Sequence, residues 1–294
     1  MLLALLEAMR PWQWTKNLLV WAPLFFAHKW RDSAALGSTA AGFAAFCLAA
    51  SSLYLLNDIL DREADRQHEK KRHRPIASGR LPLPVALTAC AALLAAAGGI
   101  AFALGLPANG RPFGLWIGLY AFQTILYSFW LKHIVILDCL VIAIGFLLRV
   151  LGGGAAAGVE CSSWILLCTF FFALFLACCK RREEVARHGA GRGGTRQSLK
   201  DYDLPFLDQL IAPLAALSIL SYALYTVAPE TVARHGSRNI QVTVPFVVFG
   251  VFRYLFLVHR RGEGMDTAKT LFRDSHLLIG AAGWVAASFW AISA

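Results

Sequence analysis

The sequence predicts an all-α polytopic membrane protein with about nine transmembrane helices. Of its 294 residues, 57% are hydrophobic and only 16% are charged, whereas an average globular chain has about 25% charged residues. The mean hydropathy is correspondingly high, at +0.55. Apolar stretches of about 20 residues, the length that a helix needs to cross roughly 30 Å of hydrocarbon, recur along the whole chain. This composition excludes a disordered chain, a collagen-like repeat and a disulfide-based scaffold.

Nine apolar stretches are the candidates for these helices. The first is short, and only residues 131–133 separate the fourth from the fifth. The stretches centre on residues 17–30, 34–56, 82–107, 113–130, 134–152, 162–179, 208–228, 241–258 and 275–293. Together they predict a single transmembrane domain over residues 1–294.

The basic residues predict the orientation of these helices. With nine spans, 21 of the 28 basic residues fall on the side of the amino terminus and five on the opposite side. Cytoplasmic loops carry the excess of Lys and Arg, so we expect an integral protein of the cell (inner) membrane with a cytoplasmic amino terminus. Because topology accounts for the formal charge of +10, we expect no nucleic-acid partner.

Two hydrophilic segments on the predicted cytoplasmic side hold nine of the 18 acidic residues as well as many basic ones. They cover residues 57–80 and 180–203, and each follows an even-numbered span. A role in topology explains their Lys and Arg side chains but not their carboxylates. These segments are therefore the candidates for cytoplasmic catalytic loops.

A stripe of aspartates opens the first of these segments. Asp58, Asp61 and Asp65 lie at positions i, i+3 and i+7, which places them on one face if the second helix continues past the membrane surface. Like charges at this spacing repel each other, and a bound divalent cation removes that repulsion. Oxygen ligands suit Mg²⁺, which proteins commonly share with substrate phosphates. The alternative is a solvated acidic face neutralised by Arg62 and Arg66.

Three motifs resemble the UbiA superfamily of intramembrane prenyltransferases. NDILDREAD matches the NDxxDxxxD signature, KRHRPIASGRL matches the basic segment that follows it, and RPWQWTKNLLVWAPL resembles the opening motif. The resemblance implies a bundle of nine helices around a central cavity, with Mg²⁺ and a phosphorylated substrate near its cytoplasmic mouth. It assigns the metal to Asp58, Asp61 and Asp65, catalysis to Asp58 and Asp61, and substrate binding to Lys16, Asn57, Lys71, Arg72 and Arg74.

The second hydrophilic segment departs from the usual pattern of that superfamily. Members that use prenyl diphosphates carry another DxxxD motif here, whereas this chain has KRREE, with Lys180 and Glu184 at the aspartate positions. This departure resembles the branch of the decaprenyl-phosphate phosphoribosyltransferases. The branch assigns Lys180 to catalysis and Arg181, Glu184, Tyr127 and Lys132 to substrate binding.

The resemblance to this branch implies a transfer in which phosphoribosyl diphosphate is the Mg²⁺-bound donor and a polyprenyl phosphate is the acceptor. The acceptor would enter from the bilayer, and diphosphate would leave. One alternative is a prenyltransferase that moves a polyprenyl group from its diphosphate to an aromatic or polar acceptor. Another is a transporter or lipid-binding protein, which would leave the aspartate stripe unexplained.

Three further features are open at this stage. Arg149 is expected to anchor or snorkel at a helix end. Asp138 either pairs with Lys132 or helps to bind substrate. The glycine-rich run from Gly189 to Gly194 is expected to be a flexible loop, with a phosphate cradle as the alternative.

Overall fold

The computed structural model describes residues 1–69, 71–105, 112–188, 197–235, 238–262 and 267–293. Within these ranges the secondary structure is helical, without β-strands. The α-helices are α1 (Leu2–Met9), α2 (Ala22–Phe26), α3 (Ser33–Leu60), α4 (Arg62–Gln67), α5 (Leu83–Leu104), α6 (Phe113–Phe129), α7 (Leu137–Ala157), α8 (Ser163–His188), α9 (Leu204–Val227), α10 (Pro229–His235), α11 (Val244–Arg261), α12 (Thr267–Arg273) and α13 (Ser275–Ser293). The predicted all-α class is confirmed.

Seven helical segments in the described ranges are long and apolar enough to cross a membrane. They are α3, α5, α7, α8, α9, the segment Asn239–Arg261 that contains α11, and α13. An eighth predicted span corresponds to α6, which is apolar but only 17 residues long. The chain is therefore an integral membrane protein, and the predicted number of about nine spans is approximate.

The first predicted span, residues 17–30, is not one continuous α-helix. A 3₁₀-helix covers Pro11–Trp21 and leads into the short α2. Pro11 and Pro23 each stand in the first turn of one of these helices, where a missing N–H costs little. Hydropathy detects the apolar character of this stretch, but it carries no information about helix type.

The helices form two compact units. The first unit comprises Met1–Leu131 and Gly145–Cys161, and the second comprises Lys132–Ile144 and Ser162–Ala294. The α7 helix contributes its amino-terminal part to the second unit and its carboxyl-terminal part to the first. Whether residues 1–294 act as one domain, as the sequence predicts, stays a prediction.

In the first unit, α3 is the central helix. It contacts α1, α5, α6 and the 3₁₀-helix Pro11–Trp21, and it buries Ala45, Ala49 and Ala50. Small side chains let helix backbones approach closely in membranes. Phe46 fills the remaining space and meets the ring of Phe113 edge-on, with ring centroids 5.9 Å apart.

Glycines of α7 allow an equally close approach in the first unit. A Cβ atom on Gly153 would lie 2.1 Å from the Val20 carbonyl oxygen, and a Cβ atom on Gly152 would lie 2.5 Å from the Phe46 ring. Real Cβ atoms essentially never come that close to other heavy atoms. The glycines are therefore required for α7 to pack against the 3₁₀-helix and α3.

In the second unit, α9 contacts both α8 and α11, and α11 contacts α13. The core of this unit includes Phe175, Val251 and Leu257. The ring of Phe175 meets that of Tyr254 at 5.8 Å between centroids. This packing holds the carboxyl-terminal end of α8, which carries the KRREE segment.

Candidate functional site

The aspartate stripe lies where α3 ends and α4 begins. The α3 helix stops at Leu60, and Asp61 is the residue between the two helices. The Asp61 N–H donates to the Asn57 carbonyl at 2.9 Å, and the Asp65 N–H donates to the Asp61 carbonyl at 2.8 Å. The predicted continuation of the helix is thus interrupted at Asp61, but helical hydrogen bonds pass across the interruption.

Asp58 and Asp65 converge on a single cationic nitrogen. Arg74 Nη1 donates to Asp58 Oδ1 at 3.0 Å and to Asp65 Oδ2 at 2.7 Å. Asp58 is 2% exposed and Asp65 is 1% exposed. Charges buried this deeply need partners. The positive charge of Arg74 therefore offsets the repulsion between the Asp58 and Asp65 carboxylates.

Arg10 is a second cation at this site, for which the sequence motifs predicted no role. Its Nη2 donates to Asp58 Oδ1 at 2.5 Å, and its guanidinium lies 5.1 Å from the centroid of the Tyr54 ring. The signal for it was present, since Arg10 is the first residue of the opening motif. Arg10 adopts a left-handed backbone conformation (φ 54°) between α1 and the 3₁₀-helix Pro11–Trp21.

The remaining predicted site residues of the first unit are less buried than Asp58 and Asp65. Asn57 Nδ2 donates to Asp61 Oδ2 at 3.1 Å, and Asp61 is half-buried. Lys71 is half-buried and Arg72 is exposed, both in the 3₁₀-helix Lys71–His73.

Lys16 is half-buried in the 3₁₀-helix Pro11–Trp21. Tyr127 is also half-buried, near the end of α6.

The environment of Asp65 changes its acidity. Burial raises the pKa of this carboxyl above its ordinary value, and the charge and hydrogen bond of Arg74 oppose that rise only in part. Asp65 therefore takes up a proton more readily than a solvated aspartate does. As the pH falls, it loses its charge earlier than a surface carboxylate would.

The oxygen donors of the first unit fit Mg²⁺ in their chemistry. Within the described ranges, no group of three or more His, Cys, Asp or Glu side chains is placed to hold a metal ion by itself. Two carboxylates do converge, however, and a cationic group occupies the space between them. Mg²⁺ is usually held by one or two carboxylates together with substrate phosphates and water, and the carboxylates of Asp58 and Asp65 are donors of that chemistry.

A second buried cluster centres on Arg181 in the second unit. Arg181 is 0% exposed; its Nε donates to Asp138 Oδ2 at 2.6 Å, and its Nη1 donates to Glu184. Asp138 Oδ1 accepts from the Tyr202 hydroxyl at 2.8 Å. Asp138 thus binds Arg181 and Tyr202, two partners that the sequence did not indicate.

Lys132 and Lys180 are the other predicted cations of the second unit. Lys132 is buried in the 3₁₀-helix Leu131–His133, and its carbonyl oxygen accepts from Ser198 Oγ at 2.9 Å. Lys180 is half-buried on α8. The glycine-rich run Gly189 to Gly194 lies outside the described residues.

Arg149 does not snorkel, and that expectation is wrong. Its side chain is buried within the first unit; Nε donates to Asn17 Oδ1 at 2.7 Å, Nη1 to the Gly145 carbonyl at 2.7 Å and Nη2 to the Tyr120 hydroxyl at 2.9 Å. The guanidinium also lies 4.6 Å from the centroid of the Tyr120 ring. Neutral acceptors make burial possible here, so the side chain does not need to reach an interface.

Comparison with known proteins places this architecture in a family. The UbiA prenyltransferase family matches residues 18–190. The chain is 35% identical to the decaprenyl-phosphate phosphoribosyltransferase of Corynebacterium glutamicum, over 96% of this chain and 84% of that one. It is 36% identical to the decaprenyl-phosphate phosphoribosyltransferase of Mycolicibacterium smegmatis, over 85% of this chain and 80% of that one.

A solved structure has the same fold. The structure of a UbiA homolog from Archaeoglobus fulgidus bound to GPP and Mg²⁺ matches with a TM-score of 0.74. The match has 20% sequence identity and covers 99% of this chain and 100% of that one, so the two proteins share a fold. The chain belongs to the UbiA prenyltransferase family, a family of transferases, and within it is similar to decaprenyl-phosphate phosphoribosyltransferases.

Proposed function

We propose that the protein transfers 5-phosphoribose from phosphoribosyl diphosphate to a polyprenyl phosphate of the decaprenyl type and releases diphosphate. The observation that carries this proposal is the 33–36% identity to decaprenyl-phosphate phosphoribosyltransferases over most of the chain. The KRREE segment supports it independently. Where a second pair of aspartates would bind metal for a prenyl diphosphate, this chain places Lys180 and Glu184.

The proposed reaction is a substitution at C1 of the ribose. A phosphate oxygen of the lipid attacks C1, and the bond from C1 to the diphosphate oxygen breaks with both electrons leaving on diphosphate. The lipid phosphate is already ionised at neutral pH, so the reaction requires no general base. Catalysis consists of positioning and of stabilising the charge that develops on the departing diphosphate.

The first unit supplies the proposed donor site. Arg74 and Arg10 already lie against Asp58, and Lys71 and Arg72 precede Arg74 in the chain. In this proposal these cations, with Lys16 and Asn57, bind the diphosphate oxygens. Asp58, Asp61 and Asp65 would hold Mg²⁺, which when bound neutralises negative charge on the diphosphate.

The second unit supplies further cations in this proposal. Lys180 and Lys132 would bind phosphate oxygens directly. Tyr127 is proposed separately as a substrate-binding residue. Arg181 and Glu184 belong to the same segment, but their side chains already bind each other. We therefore assign this pair to holding the end of α8 in place for Lys180.

The proposed site faces the cytoplasm. The distribution of Lys and Arg supports this orientation, and the cytoplasmic loops would be residues 57–80 and 180–203 of one UbiA-like domain over residues 1–294. A water-soluble, strongly anionic donor reaches such a site from the cytoplasm, whereas the lipid acceptor reaches it from the bilayer. Both substrates then meet at the membrane surface.

Transfer of radiolabel into lipid tests the proposed function. The purified protein is incubated with phosphoribosyl diphosphate labelled in the ribose, polyprenyl phosphate and Mg²⁺, and the lipid phase is counted. We expect labelled lipid that requires all three components. If label enters lipid only when a prenyl diphosphate replaces the phosphoribosyl donor, the protein is a prenyltransferase and the proposal is wrong.

Three variants test the proposed residues in the same assay. Asp58→Ala and Asp61→Ala should abolish transfer, while the matched control Glu63→Ala, which changes an exposed carboxylate of the same segment, should keep it. Lys180→Asp should weaken the use of phosphoribosyl diphosphate. Full activity in both aspartate variants would exclude the metal assignment, and unchanged kinetics of Lys180→Asp would remove this lysine from the site.

A further inference from the structure

The turn that joins Lys132 to α7 has a strained backbone. Ile136 adopts a φ of 68°, which β-branched residues strongly disfavour. The Leu137 N–H donates to the Val135 carbonyl at 2.7 Å, so Ile136 is the central residue of a γ-turn with positive φ, a rare and strained form. Such strain persists only where surrounding contacts impose it.

Tyr202 provides those contacts. Its hydroxyl accepts the Ile136 N–H at 2.6 Å and donates to Asp138 Oδ1 at 2.8 Å. The side chain is buried, and burial raises the pKa of its phenol, so the hydroxyl stays protonated and can serve as donor and acceptor together. One side chain thus satisfies the central N–H of the turn and orients the carboxylate that holds Arg181.

A second hydroxyl from the same segment binds the other end of the turn. Ser198 is buried, and its Oγ donates to the Lys132 carbonyl oxygen at 2.9 Å. Ser198 and Tyr202 therefore hold the segment from Lys132 to Asp138, which contains the turn, near both of its ends. These hydrogen bonds fix the backbone at Lys132.

The side chains that the turn exposes are apolar. Ile134 is 37% exposed and Ile136 is 45% exposed, whereas Lys132 between α6 and this turn is buried. In a membrane protein, exposed isoleucines at a helix start are suited to contact with lipid. A buried cation beside a lipid-facing turn is suited to the phosphate of a lipid whose chain remains in the bilayer.

We propose that this turn is the binding site for the phosphate group of the polyprenyl phosphate acceptor, with Lys132 as its cation and Tyr202 as the positioning residue. The inference rests on the proposed function and deepens it, because it assigns the acceptor rather than the donor to this cluster. Tyr202 touches no substrate in this scheme. It acts by holding the turn that presents Lys132.

Tyr202→Phe is the test variant, and Tyr222→Phe is its matched control. Tyr222 is also a buried tyrosine of the second unit with two hydroxyl contacts, to Thr243 at 2.7 Å and to Trp284 at 2.8 Å, but it is remote in sequence from the turn. We expect Tyr202→Phe to raise the KM for polyprenyl phosphate about tenfold, with kcat at saturation and the KM for phosphoribosyl diphosphate within about twofold of wild type. Tyr222→Phe should leave both KM values unchanged.

Adding Ile136→Gly to Tyr202→Phe provides a rescue. Glycine adopts positive φ without strain, so the turn should depend less on the tyrosine, and part of the affinity for the lipid should return. Equal effects of the two tyrosine variants, or a rise only in the KM for phosphoribosyl diphosphate, would overturn the inference.

The inference can also be judged apart from the proposed function. If wild type transfers no ribose label, the proposed function fails, and binding of polyprenyl phosphate to protein in lipid nanodiscs becomes the deciding measurement. Weaker binding by Tyr202→Phe than by Tyr222→Phe supports the acceptor site. Equal binding by these two variants excludes it.

Discussion

At the scale of single residues, the protein compensates its buried charges in two different ways. Asp58 and Asp65 share Arg74, and Asp138 pairs with Arg181. Arg149 instead has only neutral acceptors in the described contacts. Removing one partner of the fully buried Asp138–Arg181 pair leaves an uncompensated charge and is strongly destabilising. A buried cation with neutral partners depends instead on the geometry of its hydrogen bonds.

Arg149→Lys should therefore destabilise the first unit although it keeps the charge. A lysine has a single nitrogen and cannot reach the Asn17 oxygen, the Gly145 carbonyl and the Tyr120 hydroxyl from one planar group. We expect a loss of about 1–3 kcal/mol in stability, the cost of unsatisfied buried polar groups, measured as a lower Tm in detergent. Tyr120→Phe removes only one of these contacts and should have a smaller effect, so a larger effect of Tyr120→Phe would contradict this assignment.

Asp65→Asn should separate stability from activity. Because burial raises the pKa of Asp65, the fold favours its protonated form, and that contribution to stability is present below the unfolded pKa and is lost as the pH rises through the raised pKa. A neutral isostere should thus keep or raise the Tm at neutral pH, and its difference from wild type should vanish in acid. The apparent Mg²⁺ affinity in the transfer assay should nevertheless fall about tenfold or more.

Opposite results would exclude this account of Asp65. A variant that unfolds at neutral pH would show that the ionised carboxylate stabilises the protein. A variant with unchanged Mg²⁺ dependence would show that Asp65 is not a metal ligand. Thermal unfolding followed at several pH values, with Glu63→Gln as the exposed control, distinguishes these cases.

The sequence shows which residues are candidates for the site, but it does not show their partners. The spacing of Asp58, Asp61 and Asp65 is visible in nine consecutive letters, because all three lie in one short segment from the end of α3 to α4. Arg181 and Asp138 are 43 positions apart. Their pairing depends on tertiary structure, which no local sequence pattern predicts. For the same reason Arg149 looked like an anchoring residue, since its partner Asn17 is 132 positions away.

At the scale of elements, hydropathy predicts most of the helices but not how closely they approach. Apolar windows found the helices from α3 to α13 that cross the membrane. They did not find the 3₁₀ character of Pro11–Trp21, because a window average does not depend on helical pitch. The glycines at the carboxyl end of α7 are visible in the sequence, but only the structure shows that one of them lies against the backbone of that 3₁₀-helix.

Gly153→Ala should disrupt this contact. Its Cβ would lie 2.1 Å from a backbone oxygen of Val20, and a backbone atom cannot move aside as a flexible side chain can. We expect a clear loss of folded protein and a lower Tm. The control is Gly98→Ala on α5, where a Cβ meets nothing within 4 Å; it should be neutral or stabilise by about 0.5–1 kcal/mol, since alanine is the better helix former. Equal Tm values for the two variants would contradict a close α7 contact.

At the scale of the whole molecule, the orientation of the chain in the membrane depends on residues 11–26, which comprise the 3₁₀-helix Pro11–Trp21 and α2. If residues 11–26 cross the bilayer, nine spans are possible and the basic residues sort to one side. The 3₁₀-helix has 11 residues and α2 has five, which at a rise of about 2.0 Å and 1.5 Å per residue gives a length of about 30 Å. Such a segment is long enough to cross the hydrocarbon, although it has too few residues for an α-helical span.

Cysteine labelling in intact cells tests whether this segment crosses. Single cysteines are introduced at three exposed positions, Leu3, Arg31 and Glu63, and are treated with a membrane-impermeant maleimide from outside the cell. The positive-inside rule predicts that Leu3→Cys and Glu63→Cys react only after the membrane is opened, whereas Arg31→Cys reacts in intact cells. The wild-type protein supplies the background from the seven native cysteines, all of them buried or half-buried.

Each outcome of the labelling has a definite meaning. If Arg31→Cys is protected together with Glu63→Cys, then α3 does not cross the bilayer in one pass, and the nine-span topology is wrong. If Leu3→Cys reacts from outside while Glu63→Cys does not, the segment before α3 does not cross, and the amino terminus lies opposite the aspartate stripe. Arg10 binds Asp58 at 2.5 Å, so the amino-terminal motif and the stripe must share one face, and we expect Leu3→Cys and Glu63→Cys to behave alike.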